Sequence, residues 1–477
     1  MIEPIAAWGR RLLLLLTAAL LIALPAAWIS SQYFGNEINA TLSFHANDGW
    51  CNWGYTPDFG VHCFGDYVQP LIGAQADFDL LDPEQAIPSS AIPGATNEAY
   101  ISLYPPVSQL PHVLAALWSG SFVGRNVTFF AYMALLALAV LAPALWIAWG
   151  WRKSAFGLVP LLLLGVATVP AIAALDRGNS AGFVVPCLLA FGVFLGRDPR
   201  WIAPAAAVAA ALIRPQFILI VLALGAIRAW RQALVAVGVF GAITLASFTL
   251  MPAGFAQSAR AWWDTVSGLS SVGFSGITSD SPANTSIARS TTALAGWLSN
   301  GPGVVGHFGG WLRSTVVDQP IIPLAILSAI TLIVFLIGKG RITRAIAITV
   351  PFALAAGASG ISPIYYLSFA IVLGALVVGN RLPFAPALLD SGDGRWGYQA
   401  WRWLLVVAIT LSLSPIVLAG DTPSGSPLMR NSFILENIGR LWLGVIVAAL
   451  AWAAWSLIPR TRNRLAHGRQ HHHGGVS

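Results

Sequence analysis

"RWIAPAAAVAAALIRPQFILIVLALGAIR", residues 200–228, carries arginine at both ends and an apolar run that is interrupted once, at Arg214, Pro215 and Gln216. Each half is about 13 residues, roughly 20 Å as helix, against a bilayer core of about 30 Å. Neither half can cross. Basic residues mark the cytoplasmic side of a membrane, so the run reads as a broken helical hairpin with both ends on that side. Its tip holds Arg214 within the membrane, where a polar tip is tolerated only if buried in protein or facing a water-filled cavity. An arginine at that depth reads by default as part of a functional site. The alternative is a helix-end anchor that snorkels.

The rest of the chain supports this setting. Of 477 residues, 56% are hydrophobic and 9% charged, where soluble domains carry about 25% charged residues. Apolar stretches of about 18 residues recur from end to end. They run continuously apolar, whereas barrel strands would alternate. The fold class is therefore an all-α polytopic membrane protein, and the lipid bilayer is its first partner. The net charge of +7 falls in short groups beside apolar segments, as membrane topology demands, so no nucleic-acid partner is expected.

Length and charge predict about twelve transmembrane segments, with both termini cytoplasmic and the protein in the plasma membrane. An N-terminal transmembrane helix occupies 1–29, after Arg10 and Arg11. An external loop follows over 30–125, then a core transmembrane module over 126–251. A second external loop covers 252–320, a C-terminal transmembrane module 321–460 and a cytoplasmic tail 461–477. No inverted repeat is visible. The first loop is acidic, with Asp58, Asp66 and Asp77 among its carboxylates, and a loop so long implies a function. Cys51 and Cys63 lie in it, where an oxidising exterior allows a disulfide; two free thiols are the alternative. Cys187 sits in an apolar run and reads as a core residue.

Polar clusters gather on the outer side. They are "CFGDYVQP" (Cys63–Pro70), "ISLYPPVSQLPHVLAALW" (Ile101–Trp118), "LDRGN" (Leu175–Asn179), "SPANTSIARSTTALAGW" (Ser281–Trp297) and "SPIYY" (Ser362–Tyr366). After its proline pair the second continues as a short amphipathic helix lying toward the membrane surface. In the third, Asn179 stands at a helix N-terminus, where anions are favoured.

In their order and spacing, "GDY", "LYPP", "RGN", "AAALIRPQ", "NTSI" and "SPIYY" together resemble the glycosyltransferases of family 87, over roughly Asp66 to Val378. The resemblance implies a GT-C-like bundle and a polyprenyl-phosphate sugar donor. Among the family's members are mannosyltransferases and arabinofuranosyltransferases of the actinobacterial cell envelope. It also implies an envelope glycan or glycolipid as acceptor and an active site facing outside. Members usually carry lysine before the proline where this chain has Arg214. Many of the mannosyltransferases also have Ser-Pro followed by Ser-Trp and histidine where "SPIYY" stands. Both departures favour arabinofuranose over mannose as the transferred sugar.

The chemistry of such a donor names the candidate residues. Its phosphate leaving group needs cationic hydrogen-bond donors, and the acceptor hydroxyl needs a carboxylate base. Arg177, Arg214 and Arg289 are expected to hold the phosphate through the guanidinium fork. Asp66 is the expected catalytic base, and a Cys51–Cys63 bridge would restrict its position. Tyr67, Asn179, Asn284, Tyr365 and Tyr366 are expected to bind substrate. Asn179 equally suits a helix cap, and Asp176 an ion pair or a cap. No carboxylate and histidine set has metal-ligand spacing, so neither metal nor cofactor is expected. A non-enzymatic transporter or lipid flippase is the rival reading, since bundled spans and a buried arginine would serve it too.

Overall fold

The computed structural model describes residues 7–34, 67, 104–118, 122–151, 158–272, 284–319, 321–338, 342–358, 362, 364–380, 395–414 and 433–457. Among them every regular element is helical. The chain opens with α1 (Ala7–Phe34), α2 (Pro106–Trp118) and α3 (Phe122–Gly150). Next, α4 (Leu158–Leu161) passes through a π-helical turn at Leu162–Val166 into α5 (Val169–Arg177). A 3-10 turn at Ser180–Phe183 leads to α6 (Val184–Phe194). Then α7 (Ile202–Ile213), a 3-10 stretch at Pro215–Val221 and α8 (Leu222–Ala226) follow. They are succeeded by α9 (Trp230–Ser247), α10 (Phe255–Val272), α11 (Ile287–Ser299), α12 (Val304–Asp318) and α13 (Ile321–Gly338). The chain continues with α14 (Arg344–Ala356), a 3-10 turn at Ile364–Leu367, α15 (Ser368–Val378), α16 (Arg395–Leu413) and α17 (Phe433–Leu457).

Length and exposure sort these helices into two kinds. Five stretches are long and apolar enough to cross a bilayer: Trp8–Ala26, Val127–Gly150, Trp230–Leu250, Ile321–Gly338 and Asn437–Leu457. On them Leu14, Leu135, Leu234, Ile333 and Val447 are exposed, an apolar surface that suits acyl chains. The pair formed by α4 with its π turn and α5 makes a sixth span if its 61° bend is allowed. Here the π turn and Pro170 disturb the regular ladder, which is how sharp kinks arise. Five further apolar helices have 10–17 residues. The two around "SPIYY" are buried on every side, over 345–356 and 366–378. A helix apolar all round belongs inside a bundle.

About twelve segments were expected from sequence; among the described residues there are five spans, or six with the bent pair, plus these short inner helices. The expected break at Arg214 is present, and the stretch Pro215–Val221 folds back against α7. Within the second expected loop, 252–320, the described residues form α10, α11 and α12. The last two pack as a hairpin, because glycine at 309 lets the α12 backbone approach Leu298 and Ser299. At the end of α6 away from Asn179, Arg344 Nη2 donates to Gly192 O and Val193 O, both at 2.8 Å. A cation on the last carbonyls of a helix suits its dipole.

The two kinds of helix should respond differently to truncation. Phe352→Ala, in fully buried α14, is expected to cost about 3–5 kcal/mol. Leu234→Ala, on the exposed face of α9, should cost less than about 1 kcal/mol. Unfolding of the two variants in one detergent measures the difference.

Candidate active site

Helix ends converge at one place. α5 stops at Gly178, whose left-handed backbone (φ 65, ψ 31) caps the helix, a geometry that favours glycine. A Cβ there would stand 2.9 Å from Tyr67 Cβ, so the glycine also makes room for the residue that follows Asp66. Asn179 is extended, and its Oδ1 accepts from Ala181 N at 2.8 Å. This caps the turn leading to α6. α7 stops because a proline disfavours helical backbone in the residue before it. Arg214 is accordingly extended (φ −141, ψ 104). Its Nη2 donates to Asn179 Oδ1 at 2.7 Å. One amide oxygen thus joins two helix breaks.

Arg214 is only 2% exposed, and aromatic rings surround its charge. The guanidinium carbon lies 4.0 Å from the Tyr104 ring centre and 6.0 Å from that of Tyr366. A desolvated cation over a ring gains about 2 kcal/mol. The hydroxyls of Tyr104 and Tyr366 are 3.4 Å apart. α2 secures Tyr104: Gln109 Nε2 donates to Tyr104 O at 3.4 Å. Ser108 Oγ donates to Leu212 O at 2.6 Å, taking a terminal carbonyl of α7 that the helix end leaves open.

Beside this group stands an aromatic cluster. The Tyr67 ring lies 4.7 Å from Tyr132, 5.4 Å from Phe129 and 6.1 Å from His112, centre to centre. Tyr132 Oη donates to Gly178 O at 2.9 Å, fixing the left-handed glycine. Burial pushes the Tyr67 phenol up from its ordinary value. It pushes His112 down to about 3, helped by the Arg214 charge, so the imidazole is neutral at physiological pH. Neither of its ring nitrogens has a hydrogen-bond partner among the described residues.

The sequence candidates distribute as follows. Arg177, Asn179, Arg214 and Tyr366 are buried, with Tyr365 partly so and its ring 5.1 Å from that of Tyr366. The turn at Ile364–Leu367 packs against α5, which brings "LDRGN" and "SPIYY" together. Asp176 is in the last turn of α5 and therefore caps no helix N-terminus. Asn284 Oδ1 accepts from Ser286 N at 3.0 Å and from Ser362 N at 2.9 Å, tying "NTSI" to "SPIYY". Arg289 Nη1 reaches Asn284 O at 3.5 Å and lines a separate cleft with Arg313. Asp66, Cys51 and Cys63 lie outside the described residues.

A family model described as glycosyltransferase family 87 matches residues 103–353, more than half of the chain. The chain belongs to glycosyltransferase family 87. Comparison with curated proteins and with solved structures gives no match. The match takes in "LYPP", "RGN", "RPQ" and "NTSI", while "GDY" and "SPIYY" fall outside it.

In this family 87 glycosyltransferase, four residues that sequence reasoning passed over also stand at the candidate site: Tyr104, Gln109, His112 and Tyr132. Gln109 and His112 were legible in principle, since a spacing of three places both on one face of an otherwise apolar helix. Tyr132, a lone phenol within a long apolar run, carried no such signal.

Two outcomes follow for the glycosyltransferase. Asn179→Ala removes the acceptor from a buried guanidinium and should cost about 1–3 kcal/mol, whereas Asn179→Asp keeps an oxygen there; thermal unfolding distinguishes them. His112 has a folded pKa of about 3, below its ordinary 6.5, so the unfolded chain takes the proton first. Its contribution to stability is complete above about pH 6.5 and is lost as pH falls toward 3. In His112→Asn, the decline of melting temperature between about pH 6.5 and pH 4 should be shallower than in the wild type.

Proposed function

We propose that this membrane glycosyltransferase moves arabinofuranose from a polyprenyl-phosphate donor to an envelope glycan or glycolipid on the outer face of the plasma membrane. Polyprenyl-phosphate mannose is the second candidate donor. The observation that carries the reading is the buried cation Arg214, held against Asn179, Tyr104 and Tyr366 where helices break. A lipid-linked phosphate leaving group needs such a preorganised positive charge. Family membership favours an enzyme over a transporter or flippase.

In this mechanism the acceptor hydroxyl gives its proton to Asp66 as its oxygen forms a bond to the anomeric carbon. The bond from that carbon to the phosphate oxygen breaks, and lipid phosphate leaves with the electron pair. Arg214 and Arg177 take up the negative charge that develops on it. Asn179, Tyr365 and Tyr366 contact the sugar. Support for Asp66 comes from its neighbour in sequence, Tyr67, which packs between Gly178 and the Tyr132 ring.

Side-by-side turnover by the purified protein tests the donor. Decaprenyl-phosphate arabinofuranose is expected to give product, and product from polyprenyl-phosphate mannose alone would overturn the sugar assignment. Asp66→Asn should lower transfer by about 100-fold or more while donor binding survives. Asp58→Asn and Asp77→Asn should do much less. If one of these two abolishes transfer while Asp66→Asn stays active, the base has been misassigned.

A further inference from the structure

The α11–α12 hairpin is placed by its connection to the membrane. α12 ends at Asp318 and the span α13 begins at Ile321, leaving only Gln319 and Pro320 between them. A hairpin joined so closely to a span stands at the bilayer surface. Its outside matches that position: Trp297 is 72%, Trp311 60% and Phe308 51% exposed. Aromatic residues, tryptophan above all, concentrate at the boundary between headgroups and acyl chains.

Between the two helices lies a cleft of about 340 Å³, lined by Arg289, Thr292, Ala293 and Gly296 from α11 and by Arg313 from α12. Two arginines and a threonine line it, and among the described residues no acidic one does. On α11 these residues recur at spacings of three and four, so one helix face supplies the wall. Ala293 and Gly296 leave little side chain there, which lets a bulky anion come close to the backbone. Guanidiniums from opposite walls suit the non-bridging oxygens of a phosphate. A chain at the membrane surface meets that group at high density in phospholipid headgroups.

We propose that the Arg289–Arg313 cleft binds the headgroup phosphate of an anionic membrane phospholipid, and that this contact seats the α11–α12 hairpin on the bilayer. Arg289, expected from sequence among the partners of the donor phosphate, then serves a second and separate phosphate. The contact also reaches the active-site region: Arg289 Nη1 touches Asn284 O, and Asn284 Oδ1 holds Ser362 N, at the head of the segment that presents Tyr365 and Tyr366. A lipid in the cleft therefore steadies that segment without entering the site.

The test uses the full-length protein, released from membranes containing equal phosphatidylglycerol and phosphatidylcholine, with retained lipid measured by native mass spectrometry. The wild type should retain phosphatidylglycerol. Arg313→Gln, at an exposed position of α12, and Arg289→Gln/Arg313→Gln should each retain it about 10-fold less. Arg200→Gln, an exposed arginine paired with Asp198 elsewhere, should match the wild type. A second arm adds polyprenyl phosphate. Should the double variant lose polyprenyl phosphate but keep phosphatidylglycerol, the cleft serves the donor and the proposal fails. Equal retention of phosphatidylglycerol by wild type and double variant also overturns it. Unfolding temperatures of both variants, together with the exposed single variant, separate loss of the lipid from loss of the fold.

Discussion

A guanidinium in the middle of an apolar bundle has few ways to persist. Removing it from water costs several kcal/mol unless oxygen acceptors and polarisable rings replace the water. Here the replacement is Asn179 Oδ1 at 2.7 Å and the face of Tyr104. Neither would be available if the helices ran through. Asn179 can accept because Gly178 ends α5 just before it, and Arg214 can reach because Pro215 ends α7 just after it. Tyr104 is in place because α2 is tied to the C-terminal end of α7 through Ser108. The breaks after α5 and α7 and the meeting of "LYPP", "RGN" and "SPIYY" serve to house that one charge.

Much of this was legible, and the parts that were not share a physical reason. Periodicity and length report what surrounds a segment, so the broken run at Arg214 could be read directly: neither half is long enough to cross. The number of spans could not be read in the same way. Hydropathy does not distinguish a helix facing lipid from one such as α14, which is apolar because protein encloses it. The helices of the second expected loop were missed for the opposite reason, since α11 and α12 carry too many polar and glycine residues for a membrane pattern. Their stability comes from packing on each other, which no single segment reveals. In the site, Arg214, Asn179 and Tyr366 stood out as polar groups in apolar context. Tyr132 and His112 act through burial beside them, a property of the assembled fold.

The described helices also divide the labour between rigidity and chemistry. α14 and α15 are enclosed, and Arg344 clamps the far end of α6 through two carbonyls at 2.8 Å. The ends that meet at Arg214 are therefore carried by elements with little freedom, while their polar residues sit on the few extended positions between helices. Precision in a site of this kind depends on supporting packing as much as on the contacting groups.

The junction between α12 and α13 has a mechanical meaning of its own. α13 has 18 residues, about 27 Å of helix, slightly less than the hydrocarbon thickness of a typical bilayer, about 30 Å. A helix this short has no surplus length to absorb by leaning. In a thicker membrane the lipid must thin around it or its ends must be drawn inward. With only two residues of slack, the hairpin follows. Bilayer thickness thereby becomes a variable that acts on the hairpin and, through Arg289 and Asn284, on the turn that carries Tyr365 and Tyr366, so that the lipid composition around the protein works as a gauge on its geometry.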